Sequence, residues 1–147
     1  MRLSSKTDYG LRALIDLALH AHGLPVQSHD IAARQGIPES YLNQLLILLR
    51  RAGLIRSVRG PQGGHQLSRA THTITLADIV GALDGPPANE QPSAPAEARG
   101  TDRATDAVVR ETWERVNAAM LDALRGVTLD ALLDARQQHD TAAMFQI

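Results

Sequence analysis

Apolar positions near the start of the chain recur three and four apart, at Leu11, Leu14, Ile15 and Ala18, with Asp8, Arg12 and Asp16 between them. That spacing puts the aliphatic side chains on one face and predicts an amphipathic helix. It starts at Ser4 or Ser5, where Ser5-Lys6-Thr7-Asp8 has the form of a capping box, and stops near Gly23-Leu24-Pro25. Ser28 is expected to cap a second, shorter helix, HDIAARQ, which ends at Gly36 as helices do on a left-handed glycine. Pro38 suits the first turn of a third helix, ESYLNQLLILLRRA, because the amide it lacks has no acceptor inside a helix. Gly53 closes that helix. The runs LIRSV and HQLSR then flank a glycine-rich turn and predict a β-hairpin. Thr75 to Asp78 forms another capping box, which opens a fourth helix, LADIVGALD.

From Gly85 the pattern breaks. The stretch PPANEQPSAPAEARG holds four of the seven prolines and almost nothing to bury, so residues 85–101 read as a flexible segment. Helical periodicity returns after it, with Val109, Trp113, Val116, Met120 and Leu124 forming one apolar stripe. A last helix, LDALLDARQQ, follows Thr128 as its cap. The expected fold is mostly α with a small β-hairpin. Residues 1–84 form a winged helix-turn-helix domain and 85–101 a Pro-rich loop. Residues 102–147 hold a long C-terminal dimerisation helix and a final helix, the stripe on the long helix being the expected dimer contact.

Composition narrows the chemistry. The 147 residues suffice for one ordinary core, and the only aromatics are Tyr9, Tyr41, Trp113 and Phe145, so that core is aliphatic. There is no cysteine, which excludes disulfides, thiolate zinc sites and cysteine-held iron-sulfur clusters. No apolar run reaches membrane-spanning length, and a cytoplasmic location is expected. The net charge of −1 conceals an asymmetry: residues 1–76 carry nine Lys and Arg against four acids, a net of +5, while residues 77–147 carry six Arg against twelve acids, a net of −6. A basic front half points to a polyanionic partner.

Two short helices joined through a glycine are the sequence form of a helix-turn-helix. Ile31, Ile37, Leu42 and Leu45 supply its shared core, Ala32 allows close approach, and Gln35 stands where an apolar residue is the usual choice. On the third helix Ser40, Tyr41, Asn43 and Gln44 are hydrogen-bonding types suited to base edges, since Asn and Gln pair bidentately with adenine in the major groove. Arg50 and Arg51 suit phosphates, and Ser28, at the start of the preceding helix, joins them as a candidate contact. In RGPQGGHQL, Arg59, Gly60 and Pro61 form the tip of a wing whose cation can enter a narrow A·T-rich minor groove. Taken singly, such residues also make an ordinary solvated helix face or surface turn. The coincidence of a basic hairpin with a recognition-type helix favours double-stranded DNA as the partner.

MRLSSKTDYGLRALIDLAL, IAARQGIPESYLNQLLILLRRAGLIRSVRGPQGGHQL and LADIVGALDG together closely resemble the Rrf2 family of winged-helix transcription regulators, from Met1 to about Gly85 and more weakly beyond. Its relatives include the iron-sulfur cluster regulator, the nitric-oxide-sensitive repressor and the cysteine metabolism regulator. The resemblance implies a homodimer with crossed C-terminal helices, the third helix of each subunit in a major groove and each wing in a minor groove. It implies DNA contacts at Ser40, Tyr41, Asn43 and Gln44 and at Arg59, Gly60 and Pro61. Iron-sulfur members can carry Glu where Asn43 stands, which changes the base expected there from cytosine to adenine.

Many members hold a cluster on three cysteines before the dimer helix. Here that stretch is PPANEQPSAPAEARGTDRATDA, and the position matching the cluster's fourth ligand falls near Arg110. No cluster, other metal or cofactor is therefore expected. The six histidines show no HxxxH spacing. The sequence thus predicts a sequence-specific DNA-binding transcription regulator, a homodimeric repressor on a palindromic operator, with room for a small-molecule effector of unspecified chemistry. The competing reading is a winged-helix protein-interaction module that does not read DNA. The catalytic motifs GxxxxGK and HExxH and a serine nucleophile elbow are missing, so an enzyme is not expected.

Overall fold

The computed structural model describes residues 4–85 and 102–146. Helix α1 (Ser5–His20) is capped by Ser4, whose Oγ accepts from the Thr7 amide at 3.1 Å. The capping box expected from Ser5 does not form: Ser4 takes the extended backbone that a cap requires and caps the helix alone, one residue earlier. A contact distant in sequence reinforces that position. The hydroxyls of Ser4 and Thr7 both donate to the Asp84 carboxylate at 2.6 Å, tying the start of α1 to the end of α4.

Helix α2 (Ser28–Gln35) follows Gln27, and no side chain caps it. Ser28 is its first helical residue, not its cap. The chain is extended through Val26, which exchanges backbone hydrogen bonds with His65 at 2.9 and 2.7 Å, and Gln27, so Gln27 takes the cap position and the helix begins one residue earlier than a Ser28 cap would require. Gly36, at φ 64°, ends it in the expected left-handed turn. Pro38 stands just outside α3 (Glu39–Arg51), with φ −57° and ψ 126°, and its carbonyl accepts from Leu42 at 2.9 Å. It thus precedes the first turn in which it was expected.

β1 (Ile55–Val58) pairs antiparallel with β2 (Gly64–Leu67), Ile55 opposite Leu67 and Val58 opposite Gly64. The Val26 bridge adds a third backbone partner to this hairpin. Helix α4 (Leu76–Asp84) opens with a reciprocal capping box between Thr75 and Asp78, as the sequence predicts. α5 (Arg103–Arg125) is capped by Asp102. α6 (Leu129–Met144) is capped by Thr128 and runs beyond the LDALLDARQQ segment. Two backbone bonds of 2.8 Å, from Leu76 to Val127 and from Leu129 to Ile74, seat the start of α6 beside the start of α4.

The core is aliphatic throughout. Leu14 and Leu17 of α1, Ile31 of α2, Leu42, Leu45 and Leu49 of α3, and Ile55, Ile74, Ile79 and Leu129 are all buried. Each such side chain contributes about 1.5–3 kcal/mol relative to exposure, so the layout of α1 to α4 follows from where these residues recur. On α5, Val109, Trp113 and Val116 are exposed and Met120 is half-buried, whereas Leu124 is buried within its own chain. Leu124 therefore leaves the stripe predicted for a partner subunit, because α5 packs against α4 of its own chain. Most of the Pro-rich segment, residues 86–101, lies outside the described residues. Among those described, no helix is long and apolar enough to cross a membrane.

Candidate nucleic-acid interface

Helix α3 sorts its side chains by period. Leu42, Leu45, Leu46 and Leu49 point inward, and Ser40, Asn43, Gln44, Ile47, Arg50 and Arg51 are exposed. At 3.6 residues per turn these six exposed positions share one face. Among the described residues, no carboxylate pairs with Arg50, Arg51 or Arg59. Three guanidinium groups are therefore available to an external anion.

Tyr41 differs from its neighbours. Its ring is half-buried and meets Tyr9 of α1 edge to face, with centroids 5.7 Å apart and planes at 85°. Tyr41 is thus a post braced against α1 rather than a mobile side chain. Ser28 is half-buried, its hydroxyl 3.5 Å from Glu39 Oε1, so it sits at the junction of α2 and α3.

The first two helices of the head are locked by a group that periodicity alone does not reveal. Asp16, wholly buried on α1, accepts from Arg34 Nη2 at 2.7 Å, from Arg34 Nε at 3.0 Å and from Gln35 Nε2 at 3.0 Å. Burial opposes ionisation of Asp16. The hydrogen bonds from Arg34 and Gln35, with the charges of Arg34 and His20, outweigh that cost and hold its carboxyl below the usual carboxylate range. Gln35, out of place as an apolar position, is in place as the amide donor that completes this carboxylate. A lone acid within the apolar stripe of α1, with Arg and Gln closing the next helix, is the signal that would have found it.

The wing follows directly from α3. Gly53, at φ 75°, turns the chain, and the Leu54 amide donates back to Leu49 at 3.0 Å. Arg59, Gly60 and Pro61 lie exposed at the tip, where the sequence placed them. The glycines behind the tip have internal work: a Cβ on Gly63 would lie 2.3 Å from the Val58 carbonyl oxygen, and one on Gly64 would lie 2.5 Å from that of Val26. Their smallness closes the hairpin and its bridge; closeness to DNA is not needed to explain it. His65 is half-buried against this bridge with Nδ1 3.3 Å from Ser57 Oγ. Burial, and then the charge of Arg50, lower its pKa, so the imidazole is neutral at neutral pH.

The chain matches the Rrf2 family, described as iron-dependent transcriptional regulators, over residues 3–135. It belongs to that family. The HTH-type transcriptional regulator IscR of Vibrio campbellii is 36% identical over 133 residues, which span 90% of this chain and 77% of that protein. Among solved structures, IscR of T. potens superposes with a TM-score of 0.73 at 35% identity, covering 95% of this chain and 90% of its own. CymR, the global cysteine regulator of B. subtilis, gives a TM-score of 0.72 at 33% identity, covering 92% and 98%. The fold is the winged helix-turn-helix of this family, and the chain is a DNA-binding transcriptional regulator, not an enzyme.

The family description implies iron, and this chain's donors do not fit a thiolate-held cluster. It has no cysteine at any position. Among the described residues, no three His, Asp or Glu side chains converge on a point that could hold a metal ion. Arg110, aligned by resemblance with a cluster ligand, is exposed and lies 3.9 Å from Glu114.

Proposed function

We propose that this regulator is a homodimeric repressor that occludes a promoter by binding a roughly palindromic operator. Each subunit places the exposed face of α3 in a major groove and the Arg59 tip of its wing in the adjoining minor groove. Asn43 and Gln44 address base edges, favouring adenine, with Ser40 beside them. Arg50 and Arg51, together with Tyr41 and Ser28, hold the phosphates, and Gly60 and Pro61 shape the tip. The observation that carries this reading is the composition of the α3 face: amides and a hydroxyl in its first turns, guanidinium groups at its end, and no carboxylate pairing them.

The exposed Val109, Trp113 and Val116 support pairing through α5. A two-fold dimer then requires half-sites about one helical turn apart or a multiple of it. This arrangement leaves room for a small-molecule effector of unspecified chemistry that alters the separation of the two heads. The experiment is retention of genomic duplex fragments by the purified protein, followed by footprinting. Protected half-sites related by a dyad are the expected result. Failure to retard any duplex at low salt would leave a protein-interaction module instead.

A further inference from the structure

One residue on the reading face is the wrong chemistry for a phosphate or a hydrogen bond. Ile47 is 41% exposed, while the leucines of α3 are buried or packed partly into the core. It lies one turn beyond Asn43 and one turn before Arg51, so at 3.6 residues per turn it occupies the middle of the polar face. A single exposed isoleucine is common on protein surfaces and needs no explanation by itself. This one is flanked on its own face by Asn43, Gln44, Arg50 and Arg51, all exposed. A partner protein that covered Ile47 would have to desolvate two unpaired guanidinium groups beside it. A nucleic acid would neutralise them and bring apolar groups to the same face.

Of the groups on the floor of a major groove, only the C5-methyl of thymine is apolar, and aliphatic side chains recognise it by contact. We propose that Ile47 is a specificity-determining residue that packs on the C5-methyl of a thymine in each half-site. About 6 Å of helix axis separates Ile47 from Asn43. That is roughly the span of two base-pair steps at 3.4 Å each. The thymine is therefore one or two base pairs from the base read by Asn43. The inference rests on α3 entering the major groove.

The test uses the full-length protein and a duplex selected by it from a random-sequence pool. Each half-site thymine is replaced in turn by uracil, which deletes the methyl and keeps every hydrogen-bonding group. Wild-type protein should lose about fourfold in affinity at one thymine per half-site, the equivalent of one buried methyl at about 0.8 kcal/mol. Ile47→Ala should bind the thymine duplex more weakly and become indifferent to uracil there, with its melting temperature unchanged. Ile47→Val, which keeps a branched side chain, should retain part of the uracil penalty. If no uracil weakens wild-type binding, or if Ile47→Ala shows the same penalty at the same thymine, the contact is overturned. Asn43→Ala and Gln44→Ala keep the two levels apart. If they weaken binding while uracil has no effect, α3 still reads DNA and only the methyl contact falls. If neither they nor Ile47→Ala alters affinity, the α3 reading falls with it.

Discussion

Arg34 grips the buried carboxylate of Asp16 with two nitrogens, Nη2 at 2.7 Å and Nε at 3.0 Å, and so fixes the end of α2 against the middle of α1. Removing one partner strands the other. Asp16→Ala should destabilise the fold by about 3 kcal/mol, the lower end for a broken buried pair because the guanidinium is still partly in water. Urea unfolding at neutral pH measures this. A loss below about 1 kcal/mol would show that the pair is incidental.

The same carboxylate sets an acid limit. Its folded pKa is lowered relative to the unfolded chain, so the stability it contributes is complete above the ordinary Asp value of about 3.9 and drains away as pH falls through the lower, folded value. Asp78, lowered as well, has the same sign: burial opposes its ionisation, and the bonds from Thr75 and Arg69 override it. Stability should therefore drop below about pH 4. In Asp16→Asn that drop should be shallower in urea titrations between pH 7 and pH 3, and an unchanged slope would assign it elsewhere.

In the wing, stability and affinity should separate. Gly63→Ala forces a methyl against the Val58 carbonyl, so it should lower the melting temperature as well as DNA binding. Arg59→Ala removes an exposed side chain and should leave the melting temperature alone, while costing about 1–3 kcal/mol of operator affinity and relaxing any A·T preference. Thermal melts beside gel retardation decide it. Equal affinity in Arg59→Ala would mean that the wing stays outside the groove.

How much of this was legible in the sequence depended on the range of the interaction. The helices, the hairpin and the Thr75 and Thr128 caps are local, written in periods and in residues three apart, and they stand where expected. The cap of α2 is not legible locally, because what extends the chain there is Val26 pairing with His65, thirty-nine positions away. Gln35 looked misplaced for the same reason, its partner being on another helix. The α3 face could be assigned from spacing alone. Ile47 is not singled out by the sequence, since an apolar residue among leucines carries no mark of direction, and only its exposure places it on the polar face.

Two hydroxyls at helix starts should behave differently. Thr75 accepts from the Asp78 amide at 3.2 Å, and Thr75→Ala should cost about 1 kcal/mol, as loss of a cap does. Ser28→Ala removes no cap and should change stability by less than about 0.5 kcal/mol. Any larger effect of Ser28→Ala should fall on DNA affinity. Paired chemical denaturation and retardation curves for the two variants test the assignment.

Trp113 reports on assembly. It is the only tryptophan, 47% exposed on the single chain, with Val109 one turn before it and Val116 one turn after. If α5 pairs with a second copy through this face, indole emission should shift to the blue as concentration rises, and the melting temperature should rise with it, because a partner that binds only the folded state stabilises by mass action. Trp113→Glu places a charge where two apolar faces would meet, but at a site the single chain leaves in solvent. It should therefore sediment as a folded monomer, with the far-ultraviolet circular dichroism of the parent. Operator affinity should fall in the same variant, since two heads no longer bind as one unit. Dimers of undiminished stability in Trp113→Glu would place the subunit contact elsewhere, and the half-site spacing argued from α5 would lose its basis.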